Sequence, residues 1–160
     1  MSYISLANIT LSSAQSSVTF GSIPTSVNGV ALRDLIVVVN GTGTGTMTFG
    51  VQFNGDTANN YTYVEMNGNS AGAESSASSL SQALIGRFTT NNGAAIGQIM
   101  DYSATDKHKT VLARGGQAGD LVRASASRWA NNNAINAVRV VPLSNQFATG
   151  TTFALYGIAG

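Results

Sequence analysis

Residues 46–66, TMTFGVQFNGDTANNYTYVEM, carry the clearest structural signal in the chain. The first part alternates large apolar residues with Thr, Gly and Gln, which makes one face of a strand apolar: Met47, Phe49, Val51 and Phe53. Asn54-Gly55 follows, and Asn-Gly is the strongest short-range signal for a hairpin turn. Residues 61–66 are again rich in aromatic and β-branched side chains. The stretch therefore predicts two strands that pair back on each other as a hairpin.

The same signals recur along the rest of the chain. Five Asn-Gly pairs begin at Asn28, Asn40, Asn54, Asn67 and Asn92. Residues 35–39, LIVVV, form a continuous apolar run typical of a central strand covered on both faces. Further strand-like runs lie at 4–11, 19–23, 95–102, 110–114, 121–129, 135–141 and 151–158. Together they predict an all-β protein, a single-domain antiparallel β-sandwich of the jelly-roll kind with about eight to ten short strands.

Two segments leave their role open. A chain of 160 residues fits one domain over residues 1–160, in which residues 1–11 form either an N-terminal arm or an edge strand. Residues 68–81 are rich in Ser and Ala, which predicts an exposed loop. A short helix over residues 74–84 is the alternative, although so many serines weaken it.

The composition points to a protein that contacts other proteins. Only 9% of residues are charged, against about 25% in ordinary soluble domains, and 43% are hydrophobic. A surface with so little charge costs little to desolvate at a contact. The net charge of +1 gives no case for nucleic-acid binding. The N-terminus lacks a secretory pattern and no apolar run approaches the roughly 18 residues of a membrane helix, so we expect a soluble protein made in the cytosol.

Candidate catalytic and metal-binding residues are few. His108, the only histidine, lies between Lys107 and Lys109 in a predicted solvated turn, where two cations disfavour both its protonation and metal binding. Three aspartates offer possible oxygen ligands for calcium: Asp34, Asp56 and Asp101. A structural turn, however, fits Asn54-Gly55-Asp56 better than a calcium loop does. The chain has no cysteine, and residues 41–45, GTGTG, lead into a strand where a phosphate loop needs a helix. We therefore expect no enzyme, no catalytic residue, no metal and no cofactor.

Trp129 is the only tryptophan and follows Arg128 at the junction of two predicted strands. A lone tryptophan in such a place usually fills the core at one end of a sandwich. An interface anchor and a platform for a sugar ring are the alternatives.

Several segments, taken in order, resemble the small jelly-roll virion proteins of tailed bacteriophages. They are Val18-Thr19-Phe20-Gly21-Ser22-Ile23-Pro24, Arg33-Asp34-Leu35, Phe53-Asn54-Gly55-Asp56 with Tyr61, Arg128-Trp129 and Phe153-Ala154-Leu155-Tyr156-Gly157-Ile158. The resemblance spans nearly the whole chain, and the Phe-Asn-Gly-Asp turn and the last strand are its most specific parts.

The resemblance implies a non-catalytic homo-oligomer, commonly a trimer, on the phage particle. It implies a head decoration (cement) protein that binds the major capsid protein at the capsid surface after synthesis in the host cytoplasm. The expected interface residues are Tyr3, Ile4, Leu6, Ile9, Arg128 and Trp129. The alternative is a tail or fibre component that binds a host glycan through Tyr61, Tyr63 or Trp129. Neither nucleic acid nor a membrane is an expected partner.

Overall fold

The computed structural model describes residues 2–68 and 73–160, and within them the chain forms thirteen strands and no helix. The strands are β1 (Tyr3–Thr10), β2 (Val18–Phe20), β3 (Ser26–Val27), β4 (Val30–Gly41), β5 (Met47–Phe53), β6 (Tyr61–Gly68), β7 (Ala73–Leu80), β8 (Ala83–Phe88), β9 (Gly93–Ile99), β10 (Lys109–Gln117), β11 (Val122–Trp129), β12 (Val138–Pro142) and β13 (Thr152–Ala159). This described part of the chain holds no helix long and apolar enough to span a membrane.

The strands form two antiparallel sheets that pack face to face. The larger sheet has the order β1-β13-β4-β9-β10-β11-β6-β7, with β3 attached to β4, and the smaller sheet has the order β2-β12-β5-β8. β8 ends the smaller sheet and lies across β9, β10 and β11 of the larger one. The prediction of an all-β antiparallel sandwich is confirmed.

Aromatic and branched side chains from both sheets fill the core. Phe49 of the smaller sheet contacts Phe88 and Phe147 with ring centroids 4.7 and 5.3 Å apart, and Phe147 meets Phe153 of the larger sheet at 4.9 Å. These rings are fully buried, so each contributes the hydrophobic effect of a large side chain to holding the sheets together.

The predicted hairpin between β5 and β6 is wrong, because the two strands belong to different sheets. β5 pairs with β12 and β8, whereas β6 pairs with β11 and β7. Asn54 and Gly55 do form a turn, with φ of 53° and 74°. The Asn54 side chain, however, donates to Ala134 O at 2.8 Å and accepts from Asn136 N at 2.9 Å, which fixes the turn as a corner between the sheets.

Of the five Asn-Gly pairs, two are turns with both residues in the left-handed region. Besides Asn54-Gly55, Asn28 and Gly29 have φ of 49° and 79° and join β3 to β4 as a two-residue hairpin. Asn40 and Asn67 lie inside strands, and Gly93 begins β9. The dipeptide favours a turn, and strand pairing on both sides overrides that preference.

Each of the two segments whose role the sequence left undecided contains a strand. Residues 1–11 contain β1, which pairs along its length with β13 and is the edge of the larger sheet. The loop predicted over residues 68–81 is wrong for β7, as is the alternative helix, because β7 pairs with β6 as the opposite edge. Pairing with β6 satisfies backbone N–H and C=O groups of β7, although its Ser-rich side chains are mostly exposed. Residues 69–72 lie outside the described residues.

Candidate interaction surface

The side chains of the larger sheet that point away from the smaller sheet form what we call the outer face. Directly paired residues project on the same side of a sheet, so the strand register arranges them in rows. One row runs Tyr156, Ile36, Gln98, Leu112, Ala126, Val64 and Ser76. The next runs Ala154, Val38, Ile96, Arg114, Ala124, Met66 and Glu74. We call these the Leu112 row and the Arg114 row.

The outer face is apolar and open to solvent. Met66 is 65% exposed, Tyr3 64%, Val64 54% and Leu112 47%. A solvated face of an antiparallel sheet ordinarily carries polar side chains, and contiguous exposed apolar patches mark interaction sites. The outer face therefore has the character of a contact surface.

The inner side of β6 and β11 has the opposite character. Between Val64 and Met66 lies Glu65, which is buried and paired with Arg123 across 2.6 Å. Ser125 and Ser127 continue the buried polar set along β11. Over residues 64–66 of β6 and 122–127 of β11 the polar side chains thus face the protein interior and the apolar ones face outward.

The edge of the smaller sheet accounts for the polar inner side. β8 ends that sheet, and edge strands leave backbone groups without strand partners. Arg123 Nη1 donates to Gly86 O at 3.2 Å and Ser125 Oγ donates to Leu84 O at 3.0 Å, both on β8. Arg123 and Ser125 therefore satisfy backbone carbonyls of β8. Nothing in residues 2–68 and 73–160 covers the apolar side chains that point outward from β6 and β11.

Glu65 is the centre of this buried network. Its Oε1 accepts from Asn67 Nδ2 at 3.0 Å and from Ser75 Oγ at 2.9 Å, so it joins β6 to β7 as well as to β11. Burial by itself raises the pKa of Glu65, but these hydrogen bonds and the Arg123 charge outweigh it and hold the pKa below its ordinary value. Glu65 is therefore ionised at neutral pH and fixes the strands that carry Val64 and Met66.

Two shallow grooves lie side by side on the outer face and share Leu112 and Arg114. The first, of about 460 Å³, is lined by Tyr3, Ile36, Val38, Ile96, Gln98, Leu112, Arg114 and Tyr156. The second, of about 510 Å³, is lined by residues of β6, β10 and β11, including Val64 and Met66. We refer to strands β1, β13, β4 and β9 as the first half of the outer face, and to β10, β11, β6 and β7 as the second half.

Gln98, which lines the first groove, and the buried Asp34 beneath it form hydrogen bonds within the chain. Gln98 Nε2 donates to the buried Asp34 at 2.9 Å, and Asp34 also accepts from Asp101 N at 2.9 Å and pairs with Arg33 at 3.1 Å. Burial raises the pKa of Asp34, but these donors outweigh it and lower the pKa below its ordinary value. Asp34 thus pins β4 to β9 and to the chain beyond β9.

Asp56 is a structural turn residue, as the sequence favoured. Its carboxylate accepts from Ala58 N at 2.9 Å, Asn60 Nδ2 at 3.0 Å and Trp129 Nε1 at 2.7 Å. Burial raises the pKa of Asp56, but these hydrogen bonds outweigh burial, so the pKa lies below its ordinary value. In residues 2–68 and 73–160 no group of three or more His, Cys, Asp or Glu is placed to hold a metal ion.

Trp129 and Tyr61 lie in the core, so neither ring offers a face to a sugar. Their exposed fractions are 1% and 0%, and the rings stack with centroids 6.3 Å apart beside Phe53. Tyr61 accepts from Phe53 N at 3.0 Å. The core interpretation of Trp129 therefore agrees with its position, while Tyr63 is half-buried with its hydroxyl 3.5 Å from Ser75 Oγ.

The other expected interface residues divide between the two faces. Tyr3 lines the first groove, and Arg128 is exposed beside Thr110 and Thr62 in the next row of the outer face. The half-buried Ile4, Leu6 and Ile9 instead pack against the core.

Three exposed apolar residues of the second half were not predicted to lie at a surface site. Val64, Met66 and Leu112 were each counted only as part of a strand. The signal that marks Val64 and Met66 is local: Glu65 separates them on β6, and residues 122–127 of the paired strand β11, VRASAS, alternate apolar residues with Arg or Ser.

His108 is exposed between β9 and β10, as predicted, but its neighbour Lys109 is buried. The Lys109 ammonium donates to Lys107 O at 3.0 Å and Asn132 O at 3.3 Å. Burial lowers the pKa of Lys109. Placing both lysines in a solvated turn is therefore wrong for Lys109, because β10 begins at this residue and turns its side chain inward.

No family model matches the chain, and no curated protein matches it. Among solved structures it is similar to the Caenorhabditis elegans galectin LEC-6, with 9% identity, a TM-score of 0.36 and 96% of each chain covered. It is also similar to an Aspergillus awamori exo-inulinase (12% identity, TM-score 0.44), of which it spans 29% while 100% of this chain is covered. The Tobacco streak virus coat protein is 9% identical with a TM-score of 0.25, and the similarity covers 99% of this chain and 85% of that one. These weak similarities concern the β-sandwich fold alone.

Proposed function

We propose that this chain is a non-enzymatic structural protein that acts by burying the outer face of its larger sheet against other protein subunits. One observation carries the proposal: on β6 Val64 and Met66 are exposed while Glu65 between them is buried with Arg123 of the neighbouring strand β11. Exposing large apolar side chains is unfavourable unless a partner covers them.

The proposed setting is a tailed bacteriophage head, where the chain decorates and stabilises the shell by binding the major capsid protein. The support is the sequence resemblance to small jelly-roll virion proteins, together with a charged fraction of only 9%. Many copies on a shell gain strength from multivalency even if each contact is weak. We assign the capsid contact to the first half of the outer face, where Tyr3 and Tyr156 line an open groove.

The test compares two substitutions of equal exposure in purified virions. Tyr3, 64% exposed on the outer face, and Leu143, 61% exposed beyond the end of β12, are each replaced by Lys. We expect the parent chain and Leu143→Lys to appear in gels of purified particles at a copy number close to that of the major capsid protein. Tyr3→Lys is expected to be strongly depleted from the particles.

Two results would contradict the proposal. One is a parent chain that is absent from purified heads or that remains on them undiminished when Tyr3 is replaced. The other is a copy number typical of a tail component combined with specific, saturable binding on a glycan array, which would favour the host-glycan alternative.

A further inference from the structure

The second half of the outer face has an order of side chains that complements its own reversal. Along β10, β11, β6 and β7 the Arg114 row reads Arg114, Ala124, Met66 and Glu74. The row begins with a cation and a small residue and ends with a large residue and an anion. When a second, reversed copy of the row is placed opposite the first, Arg114 faces Glu74 and Met66 faces Ala124.

The neighbouring Leu112 row follows the same rule. The Leu112 row reads Leu112, Ala126, Val64 and Ser76 over these strands, so reversal sets each large side chain against a small one. In the row beyond, the Val122 side chain already lies over its own partner Gly68, so this row adds exposed apolar surface to the face without a reversed match.

From this arrangement we propose that the second half of the outer face packs on the same half of a second copy of this chain. The two copies are related by a twofold axis that runs parallel to the strands between β11 and β6. This axis brings Arg114 of each copy to Glu74 of the other and seats Met66 against Ala124. Each such contact occurs twice, as it must in an isologous interface.

The charges of the Arg114 row favour this axis over one along β10. An axis along β10 would place the two Arg114 side chains on each other, and like charges at a contact are costly. Arg114 and Glu74 are three strands apart, about 14 Å at the usual spacing, and both are exposed. Within residues 2–68 and 73–160 neither forms an ion pair, so each is available to the second copy.

The size of the surface is sufficient for a specific contact. Four strands about 4.8 Å apart and about eight residues long, at 3.4 Å per residue, span roughly 500 Å² per copy. The two copies together bury about 1,000 Å², which reaches the lower range of specific interfaces. The exposed Arg128 and the threonines beside it, Thr110 and Thr62, lie at one end of the surface as a polar rim.

This inference rests on the proposed function for the premise that the outer face is covered, and it departs from the trimer that the sequence resemblance implies. The dimer uses the second half of the outer face, including Leu112 and Arg114, which the two grooves share. It leaves the first half, with Tyr3, Ile36 and Tyr156, for the capsid. A twofold pair thus presents two capsid-binding surfaces.

The experiment is a charge exchange monitored by sedimentation equilibrium of the full chain. We expect the parent to be a dimer. Arg114→Glu and Glu74→Arg each place like charges at both ends of the Arg114 row and should weaken dimerisation roughly 100-fold. The double variant, Arg114→Glu with Glu74→Arg, restores opposite charges and should restore the dimer. The control Leu143→Glu adds a charge at an exposed position beyond the end of β12, outside the outer face, and should leave the dimer intact.

Far-ultraviolet circular dichroism establishes that each variant is folded. A parent monomer or trimer, single variants that dimerise like the parent, or a double variant no better than the singles would each overturn the inference. A monomeric parent that still occupies phage heads would overturn the dimer and leave the proposed function standing. A dimeric parent that is absent from phage heads would overturn the proposed function and leave the dimer standing.

Discussion

The two halves of the larger sheet use the same architecture with different chemistry. In the first half, β4 turns Leu35, Val37 and Val39 into the core and Ile36 and Val38 outward, so both sides are apolar. In the second half, residues 64–66 of β6 and 122–127 of β11 hold ions and hydroxyls inside and apolar side chains outside. The first half is stabilised mainly by hydrophobic burial, and its buried carboxylate, Asp34, pairs with the exposed Arg33. The second half depends on an ion pair in which both Glu65 and Arg123 are buried.

The largest expected effect comes from breaking that ion pair. Glu65→Ala leaves Arg123 buried without its carboxylate, and we expect the free energy of unfolding to fall by about 4 kcal/mol in urea denaturation. The matched change in the first half is Leu35→Ala, which creates a cavity and should cost about 3 kcal/mol.

A double replacement separates the two kinds of loss. Glu65→Met with Arg123→Leu removes both charges together and should recover most of the stability lost in Glu65→Ala. Leu35→Ala has no equivalent rescue by charge removal. A double variant as unstable as Glu65→Ala would show that the pair does more than balance its own charges.

The next effect is on pH dependence. Because the pKa of Glu65 is lowered in the folded protein from an ordinary value of 4.5, its contribution is fully present above that value. The contribution is lost as the pH falls through the lower folded value. We expect stability to decline below about pH 4.5 and Glu65→Gln to decline less steeply over that range, measured by thermal unfolding at a series of pH values.

Asp34→Asn provides the comparison in the first half. The pKa of Asp34 is lowered from 3.8, so its contribution also disappears on acidification, but from a lower starting pH. Equal acid profiles for the parent and Glu65→Gln would contradict the assignment of a depressed pKa to Glu65.

The smallest effect on folding is expected at the outer face. Met66→Gln removes a side chain that is 65% exposed, so under conditions in which the chain is monomeric the free energy of unfolding should change by no more than about 0.5 kcal/mol. A loss above 2 kcal/mol would mean that Met66 already packs within a single chain.

The fold could be predicted from the sequence to the level of strands. Alternation in residues 47–53 and the apolar run in residues 35–39 each encode a strand directly, because side chains alternate across it. Which strands pair could not be predicted, since Asn54 reaches residues 134–137, far along the chain. β7 was missed because its Ser-rich side chains carry no packing signal while its backbone is paired.

The interaction surface was harder to predict than the fold. The alternation in β6 identifies two faces, but the default assigns the apolar face to the core. Only the partners of Glu65, contributed by Arg123 and Ser75 from other strands, show that the polar face is the inner one. Which face of β6 points inward depends on pairing with β11 and β7, and the sequence of a single strand does not specify that pairing.

The hydrogen bond from Trp129 to Asp56 gives the protein an internal optical probe. Trp129 is the chain's only tryptophan, and its indole donates to a carboxylate on the segment that passes from the smaller sheet to the larger one. Its fluorescence emission therefore reports on one corner of the sandwich, at the end of β11, with no label added. A red shift in that emission during unfolding marks the moment when water reaches the junction between the two sheets.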